Sequence, residues 1–111
     1  MAERTKKFAR RIIRLYGALP KETAAQVLGK QVSRSGTSIG ANYREANRGR
    51  SKAEFISKVG DCLKEADETA YWLELLTEEE IIPKKRLEPL LQEINELISI
   101  LVTISKRARG D

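Results

Sequence analysis

Basic side chains recur between residues 30 and 52 at a spacing that suits contact with a phosphate chain. Successive helical residues advance by about 100°, so a helix over residues 26–47 carries cations on one face and small or apolar residues on the opposite face. Few acids oppose these cations, since Glu45 lies within the stretch and Glu54 just beyond it. One packed face and one positive face predict a helix that binds a polyanion. The predicted phosphate-binding residues are Lys30, Arg34, Arg44, Arg48, Arg50 and Lys52.

A second set of cations lies near the N-terminus, at Lys7, Arg10, Arg11 and Arg14. They occupy the polar side of the first predicted helix. If the first two helices pack antiparallel, we expect the two sets to form one positive field. Phosphate contact needs only positive donors at the surface, so binding would depend steeply on salt and little on base sequence.

The charge of the chain is unevenly distributed. Residues 1–60 carry 14 Lys and Arg against 4 Asp and Glu, a net charge of +10, whereas residues 61–111 carry 7 against 12, a net charge of −5. This asymmetry fits a basic surface for nucleic acid, and equally fits complementary surfaces for self-association. Ion pairs between helices that cancel much of the charge are a third explanation.

The residue types that most enzymes need are scarce. The chain has no histidine and one cysteine, which removes the usual transition-metal sites and nucleophile–base pairs. The glycine-rich residues 36–40 are not followed by the Lys-Ser/Thr of a phosphate-binding loop. Glu65, Asp67 and Glu68 lack the Glu-x-x-His motif of metal-binding bundles. We therefore expect no catalysis, no metal and no cofactor, and a buried, unreactive Cys62.

Two further groups of side chains each allow two interpretations. Ser38, Asn42 and Glu45 share one edge of the second predicted helix, between its apolar and basic faces. Half-buried polar groups need partners, so we favour a structural polar network, with bonds to Arg34 or to the third helix, over a ligand site. The Tyr-Trp pair at residues 71–72 is a stacking platform for bases or part of a core or interface, and we favour the latter.

Apolar periodicity predicts four helices, over residues 5–17, 21–47, 51–79 and 84–109. The second helix crosses the weak helix formers of residues 33–40, because the apolar spacing stays in phase there and small residues let a neighbouring helix approach. Pro20 is expected in its first turn, and Gly49 as its C-terminal cap. Ser51 and Glu54 form a capping box for the third helix. Pro89 bends the fourth helix or marks its start.

Four amphipathic helices joined by short loops predict one domain over residues 1–111. The fold class is all-α, an antiparallel up-down four-helix bundle. Ile100 and Val102 lie off the main apolar face of the fourth helix, which suggests contact with another subunit. No apolar run approaches the roughly 20 residues that cross a bilayer, so we expect a cytoplasmic protein without membrane contact.

Three segments resemble the family of bacterial four-helix-bundle proteins encoded in intervening sequences of 23S ribosomal RNA genes. They are QVSRSGTSIGANYREA at residues 31–46, RSKAEF at residues 50–55 and ETAYWLELL at residues 68–76. Within the first, Arg34, Ser38, Asn42 and Glu45 match the pattern Arg-x-x-x-Ser-Ile-x-x-Asn-x-x-Glu. Many members read Asn-Ile-Ala-Glu-Gly where this chain has Asn-Tyr-Arg-Glu-Ala, so Arg44 adds positive charge to the helix face.

The resemblance implies an antiparallel four-helix bundle that assembles as a ring-like homopentamer. A related branch is the accessory variability protein of diversity-generating retroelements, which is basic, works with a reverse transcriptase and binds nucleic acid. By this similarity, the expected partners are RNA or DNA, further copies of the chain, and a reverse transcriptase or other protein. The alternative is a scaffolding bundle that self-assembles and binds a protein.

Overall fold

The protein is described here by a computed structural model that covers residues 1–110. Four helices occupy most of this range, and none of these residues forms a β-strand. The helices are α1 (Ala2–Ala18), α2 (Thr23–Asn47), α3 (Lys52–Glu78) and α4 (Lys84–Arg109).

Each helix packs against the next along the chain, and α1 and α4 close the bundle with a less extensive contact. Neighbouring helices run antiparallel. Arg34 in the middle of α2 pairs with Glu68 of α3, whereas Glu45 near the end of α2 pairs with Lys58 near the start of α3. The predicted four-helix bundle is therefore confirmed, with extents of 45 × 20 × 20 Å.

The core is built from the apolar faces that periodicity indicates. The predicted seam of α3 is buried at Val59, Cys62, Ala66, Leu73 and Leu76. The matching buried positions of α4 are Leu87, Leu90, Ile94, Leu97 and Leu101. Burial also raises the pKa of the Cys62 thiol to about 12, so the thiol stays protonated and unreactive at neutral pH.

α2 continues unbroken through residues 33–40, as predicted. The hydroxyls of this stretch are satisfied locally, since Thr37 Oγ1 donates to the Ser33 carbonyl at 2.8 Å and Ser38 Oγ to the Arg34 carbonyl at 2.7 Å. Close packing of α1 explains the glycines: a Cβ at Gly29 would lie 2.6 Å from a Leu19 methyl.

Helix boundaries differ from the predictions at two points. α2 begins at Thr23, so the placement of Pro20 in its first turn was wrong. Pro20 instead lies in the α1–α2 connection, where its carbonyl accepts a bond of 2.9 Å from the Gln26 side chain. Gly49 does not cap α2 in a left-handed conformation, because the described residues with positive φ are Glu80 and Gly110.

The N-terminal ends of α3 and α4 were also predicted from the sequence. The capping box of α3 is confirmed, since Ser51 Oγ accepts from the Glu54 amide at 3.1 Å. The Glu54 carboxylate in turn accepts from the Arg50 amide, one residue earlier than the motif requires. Pro89 lies inside α4, which starts at Lys84, so Pro89 does not mark the start of the helix.

One hydroxyl pair joins α2 to α3 inside the core. Ser35 and Thr69 are both fully buried, and their hydroxyl oxygens lie 2.8 Å apart. We expect Thr69→Val to lower the free energy of unfolding by about 1 kcal/mol, because it leaves the Ser35 hydroxyl without this partner.

Urea unfolding measures the effect, with Thr103→Val as the matched control. Thr69 also donates to the Glu65 carbonyl of its own helix at 2.8 Å, and the exposed Thr103 makes the matching bond to the Ser99 carbonyl at 3.1 Å. Loss of the Thr103 hydroxyl should change stability by less than about 0.5 kcal/mol. Adding Ser35→Ala to Thr69→Val should recover part of the loss, because no hydroxyl then lacks its partner. Equal losses in Thr69→Val and Thr103→Val would contradict a structural role for the pair.

Candidate nucleic-acid interface

The outer face of α2 presents its cations to solvent. Lys30, Arg44 and Arg48 are exposed, while Val32 and Ile39 on the opposite face are completely buried. The predicted division of this helix into a basic face and a packed face is confirmed. The bundle therefore holds these positive side chains on one rigid element.

Arg34 is the exception among the α2 cations. Its guanidinium lies 3.3 Å from Glu65 and 3.4 Å from Glu68 of α3, although half of its side chain remains exposed. Two carboxylates thus offset its charge. Arg34 belongs to the α2–α3 contact more than to a phosphate surface, and the sequence did not reveal this because its partners lie 31 and 34 residues away.

The α2–α3 turn gathers further cations. Arg50 and Lys52 are exposed beside Arg48, and a groove of about 220 Å³ lies between the Arg48–Arg50 turn and the first turns of α3. Its acids already have partners. Glu45 accepts from Lys58 Nζ at 3.3 Å, and Glu54 accepts from the Arg50 amide.

We call Lys30, Arg44, Arg48, Arg50 and Lys52 the basic surface. No carboxylate in residues 1–110 lies within 4.0 Å of their charged groups, in contrast to Arg34. Unpaired cations are the donors that a phosphate chain requires.

Three of the predicted α1 cations, Lys7, Arg11 and Arg14, lie away from the basic surface. Arg11 and Arg14 line a groove between α1 and α4 together with Arg86, on the flank of α1 that faces away from α2. Lys7 lies on the same flank, near enough to Glu93 of α4 to lower the pKa of that carboxyl. Arg10 is exposed. For Lys7, Arg11 and Arg14 the prediction of one joint field was wrong, because periodicity shows which side of α1 is polar but not which helix borders each flank.

Lys6, which was not among the predicted binding residues, lies on the flank of α1 beside α2. Lys6 and Arg44 line opposite sides of a groove of about 390 Å³ between the two helices. The floor of the groove is made of small residues, including Ala9, Gly40 and Ala41. This arrangement extends the basic surface from α2 toward α1.

The C-terminal end of α4 adds more positive charge. Its last turn contains Lys106, Arg107 and Arg109. Because the helices alternate in direction, this turn lies at the same end of the bundle as the α2–α3 turn. This juxtaposition was not predicted, although the predicted antiparallel topology already implies it.

The expected polar network of Ser38, Asn42 and Glu45 is divided. Ser38 bonds within its own helix, and Glu45 reaches Lys58 of α3, as expected for a partner on the third helix. Among residues 1–110, no hydrogen bond joins these three side chains to one another. Ser38 and Glu45 therefore make separate local contacts.

Tyr71 and Trp72 lie on α3 away from the basic surface. Tyr71 is 54% exposed, and its ring meets the Trp72 ring edge-on with centroids 5.1 Å apart. Trp72 packs against the core, and its buried indole N–H has no acceptor in residues 1–110. This supports the interpretation as core or interface for Trp72, while Tyr71 remains accessible.

An ion-pair cluster fixes α1 to α4 at the N-terminal end of α1. Arg4 bonds both carboxylate oxygens of Glu93 at 2.8 Å and Glu96 at 3.0 Å. The hydrogen bonds from Arg4 lower the pKa of Glu93 below its ordinary value, and the positive charges of Arg11 and Lys7 lower it further.

A lowered pKa in the folded state gives Glu93 a pH-dependent contribution to stability. The contribution is complete above the ordinary pKa near 4.5 and is lost as the pH falls through the lower pKa of the folded state. We expect Glu93→Gln to be less stable than the parent at pH 7 and the difference to shrink below pH 4.5. Thermal unfolding across pH 2–7 measures this. A constant difference across that range would contradict an ionic origin.

Other kinds of site find no support in the described part of the chain. Residues 1–110 contain no group of three metal-ligating side chains and no helix long and apolar enough to span a membrane.

Comparisons with known proteins agree with this architecture. The 23S rRNA-intervening sequence protein family matches residues 1–103. A crystal structure of a protein of unknown function from the S23 ribosomal protein family of Bacteroides thetaiotaomicron VPI-5482 is 45% identical, with a TM-score of 0.89. The match covers 95% of this chain and 97% of that one. No curated protein matches. The chain therefore belongs to the 23S rRNA-intervening sequence protein family.

Proposed function

We propose that the protein is a non-enzymatic, oligomeric accessory protein of the cytoplasm that binds the phosphate backbone of RNA or DNA. The basic surface makes the contacts, with Lys6 of α1 and Lys106 and Arg107 of α4 at its margins. The observation that carries this proposal is the pairing pattern: the nearby acids have partners, whereas the cations of the basic surface have none. The family name, which refers to ribosomal RNA, supports a nucleic-acid partner.

Fluorescence anisotropy with labelled single-stranded RNA, duplex RNA and duplex DNA at several salt concentrations tests the proposal. If each of the five cations contacts one phosphate, the logarithm of affinity should fall with the logarithm of salt at a slope of roughly −3.5 to −4.5. Affinity should then fall roughly 100- to 500-fold between 50 and 200 mM salt. Absence of binding at low salt would refute the proposal.

Self-association is the second part of the proposal, and a pentamer is the state that family resemblance indicates. The bundle exposes separate apolar side chains that suit contacts between copies, at Ile13, Val27, Tyr71 and Val102. A protein partner such as a reverse transcriptase would then bind to the assembled oligomer. Light scattering after size exclusion gives the number of copies.

A scaffolding role is the alternative, and one observation favours it. Glu78, Glu79 and Glu80 are exposed at the opposite end of the bundle from the α2–α3 turn. In this arrangement the three carboxylates meet the cations of the α2–α3 turn of a neighbouring copy, end to end. If this contact forms the oligomer, 1 M salt should dissociate it, because the Debye length at that ionic strength is only about 3 Å and exposed charges farther apart are largely screened from each other. If the first proposal holds, high salt should release nucleic acid and leave the oligomer intact.

A further inference from the structure

A second positive site lies between α1 and α4, apart from the basic surface. Arg11 and Arg14 of α1 and Arg86 of α4 surround a groove of about 310 Å³. Apolar side chains, including Leu15, Ile82 and Leu90, form its floor. This volume falls at the lower end of the roughly 300–1,000 Å³ that is typical of small-ligand sites.

The groove exists because α1 and α4 pack together less extensively than the other neighbouring helices. Ile82 and Leu90 are nearly buried, so the floor is held by the core and does not depend on the side chains of the rim. The groove is therefore a preformed feature of the bundle.

The three arginines are available to an anion. No carboxylate lines the groove, and none in residues 1–110 forms an ion pair with Arg11, Arg14 or Arg86. Glu93 interacts with the charge of Arg11, but both of its carboxylate oxygens already accept hydrogen bonds from Arg4. The Lys6–Arg44 groove and the groove at the α2–α3 turn both contain Glu45, so this groove differs from them chemically.

Guanidinium groups above an apolar floor best suit a ligand that combines an anionic group with a flat, apolar ring. A guanidinium binds phosphate through two parallel hydrogen bonds, and its planar face also stacks on an aromatic ring. An unpaired nucleotide presents both partners, since its phosphate is anionic and its base is a flat, largely apolar ring. In a duplex the base is stacked and paired, and only the phosphates are accessible.

We propose that this groove binds an unpaired nucleotide of single-stranded nucleic acid, with the base against the Leu15 and Leu90 floor and the phosphates held by Arg11, Arg14 and Arg86. The inference rests on the proposed nucleic-acid binding and makes it selective for single strands.

Two variants with matched controls test the groove. Arg86→Gln removes one of its cations, and Lys85→Gln removes the adjacent exposed cation, which does not line the groove. Ala18→Glu places a carboxylate in the groove lining, and Gln92→Glu adds the same charge on the exposed outer face of α4. Circular dichroism establishes that all four variants keep their helices.

The probes are a 12-nucleotide single-stranded RNA, the same strand with abasic sites and an RNA duplex. Each groove variant should weaken single-strand binding about 10-fold, each control by no more than about 2-fold, and duplex binding should change little in any of them. The abasic strand should bind the parent protein about 10-fold more weakly than the intact strand.

The inference would be overturned if a groove variant and its control lost the same amount of affinity, for single strand and duplex alike. Only net charge would then matter. Unchanged single-strand binding in both groove variants would also overturn it and leave an acidic protein segment as the better occupant. Failure of the parent protein to bind any probe would instead refute the proposed function itself. The two failures are therefore distinguishable.

Discussion

Replacing Arg44 and Arg48 together with glutamate should weaken nucleic-acid binding by at least 100-fold at 100 mM salt, without loss of helicity. Both side chains are exposed on α2, and neither has a carboxylate partner in residues 1–110. The double variant removes two phosphate contacts and places two negative charges beside the remaining cations. The slope of log affinity against log salt should also become shallower by about 2.

A charge-matched control separates position from total charge. Lys21→Glu with Lys64→Glu makes the same change in net charge at two exposed residues away from the basic surface. Anisotropy titrations should give the control an affinity within about 10-fold of the parent, since long-range attraction alone is largely screened at this salt concentration. Equal affinity of the Arg44/Arg48 variant and the parent would remove the basic surface as the binding site.

The second large effect concerns the packing that holds the surface in place. Gly36→Val should lower the free energy of unfolding by about 3 kcal/mol. A Cβ at Gly36 would lie 2.9 Å from Ile12 Cγ1 and 3.0 Å from Ile12 Cγ2, which is closer than van der Waals contact. Ile12 is completely buried, and side chains in a protein core are close-packed. α1 must then shift away from α2, and the groove between Lys6 and Arg44 would lose its shape.

Gly60→Ala is the control for this substitution. Gly60 is exposed on α3, and nothing lies within 4 Å of the position that its Cβ would occupy. Alanine there should raise stability by about 0.5–1 kcal/mol, because glycine is the weaker helix former. Urea unfolding of both variants measures the contrast. A Gly36→Val protein as stable as the parent would show that α1 and α2 do not pack closely along this line.

The fold was largely predictable because burial repeats with the helical period. The α3 seam from Val59 to Leu76 has apolar residues at the expected positions and is buried throughout. α2 was predictable despite weak helix formers, since its packed face stays in phase across Gly36. The start of α2 was not, because the tertiary contact of Gln26 with Pro20 determines how the chain enters the helix.

The candidate site was predictable only in part. Solvent exposure of Lys30, Arg44 and Arg48 follows from one helix alone, so the sequence was sufficient. Which cations are neutralised depends on contacts between distant residues, as with Arg34 and its partners on α3. The division of the α1 cations between two flanks likewise depends on which helices border α1.

Lysine footprinting tests the central claim most directly, because it locates bound nucleic acid on the surface. The protein is acetylated with and without single-stranded RNA, and the modification of each lysine is measured by mass spectrometry. Lys30 and Lys52 should be protected several-fold, whereas Lys64, exposed on α3, should react equally in both samples. Protection of Lys64 with no change at Lys30 and Lys52 would contradict binding through the basic surface.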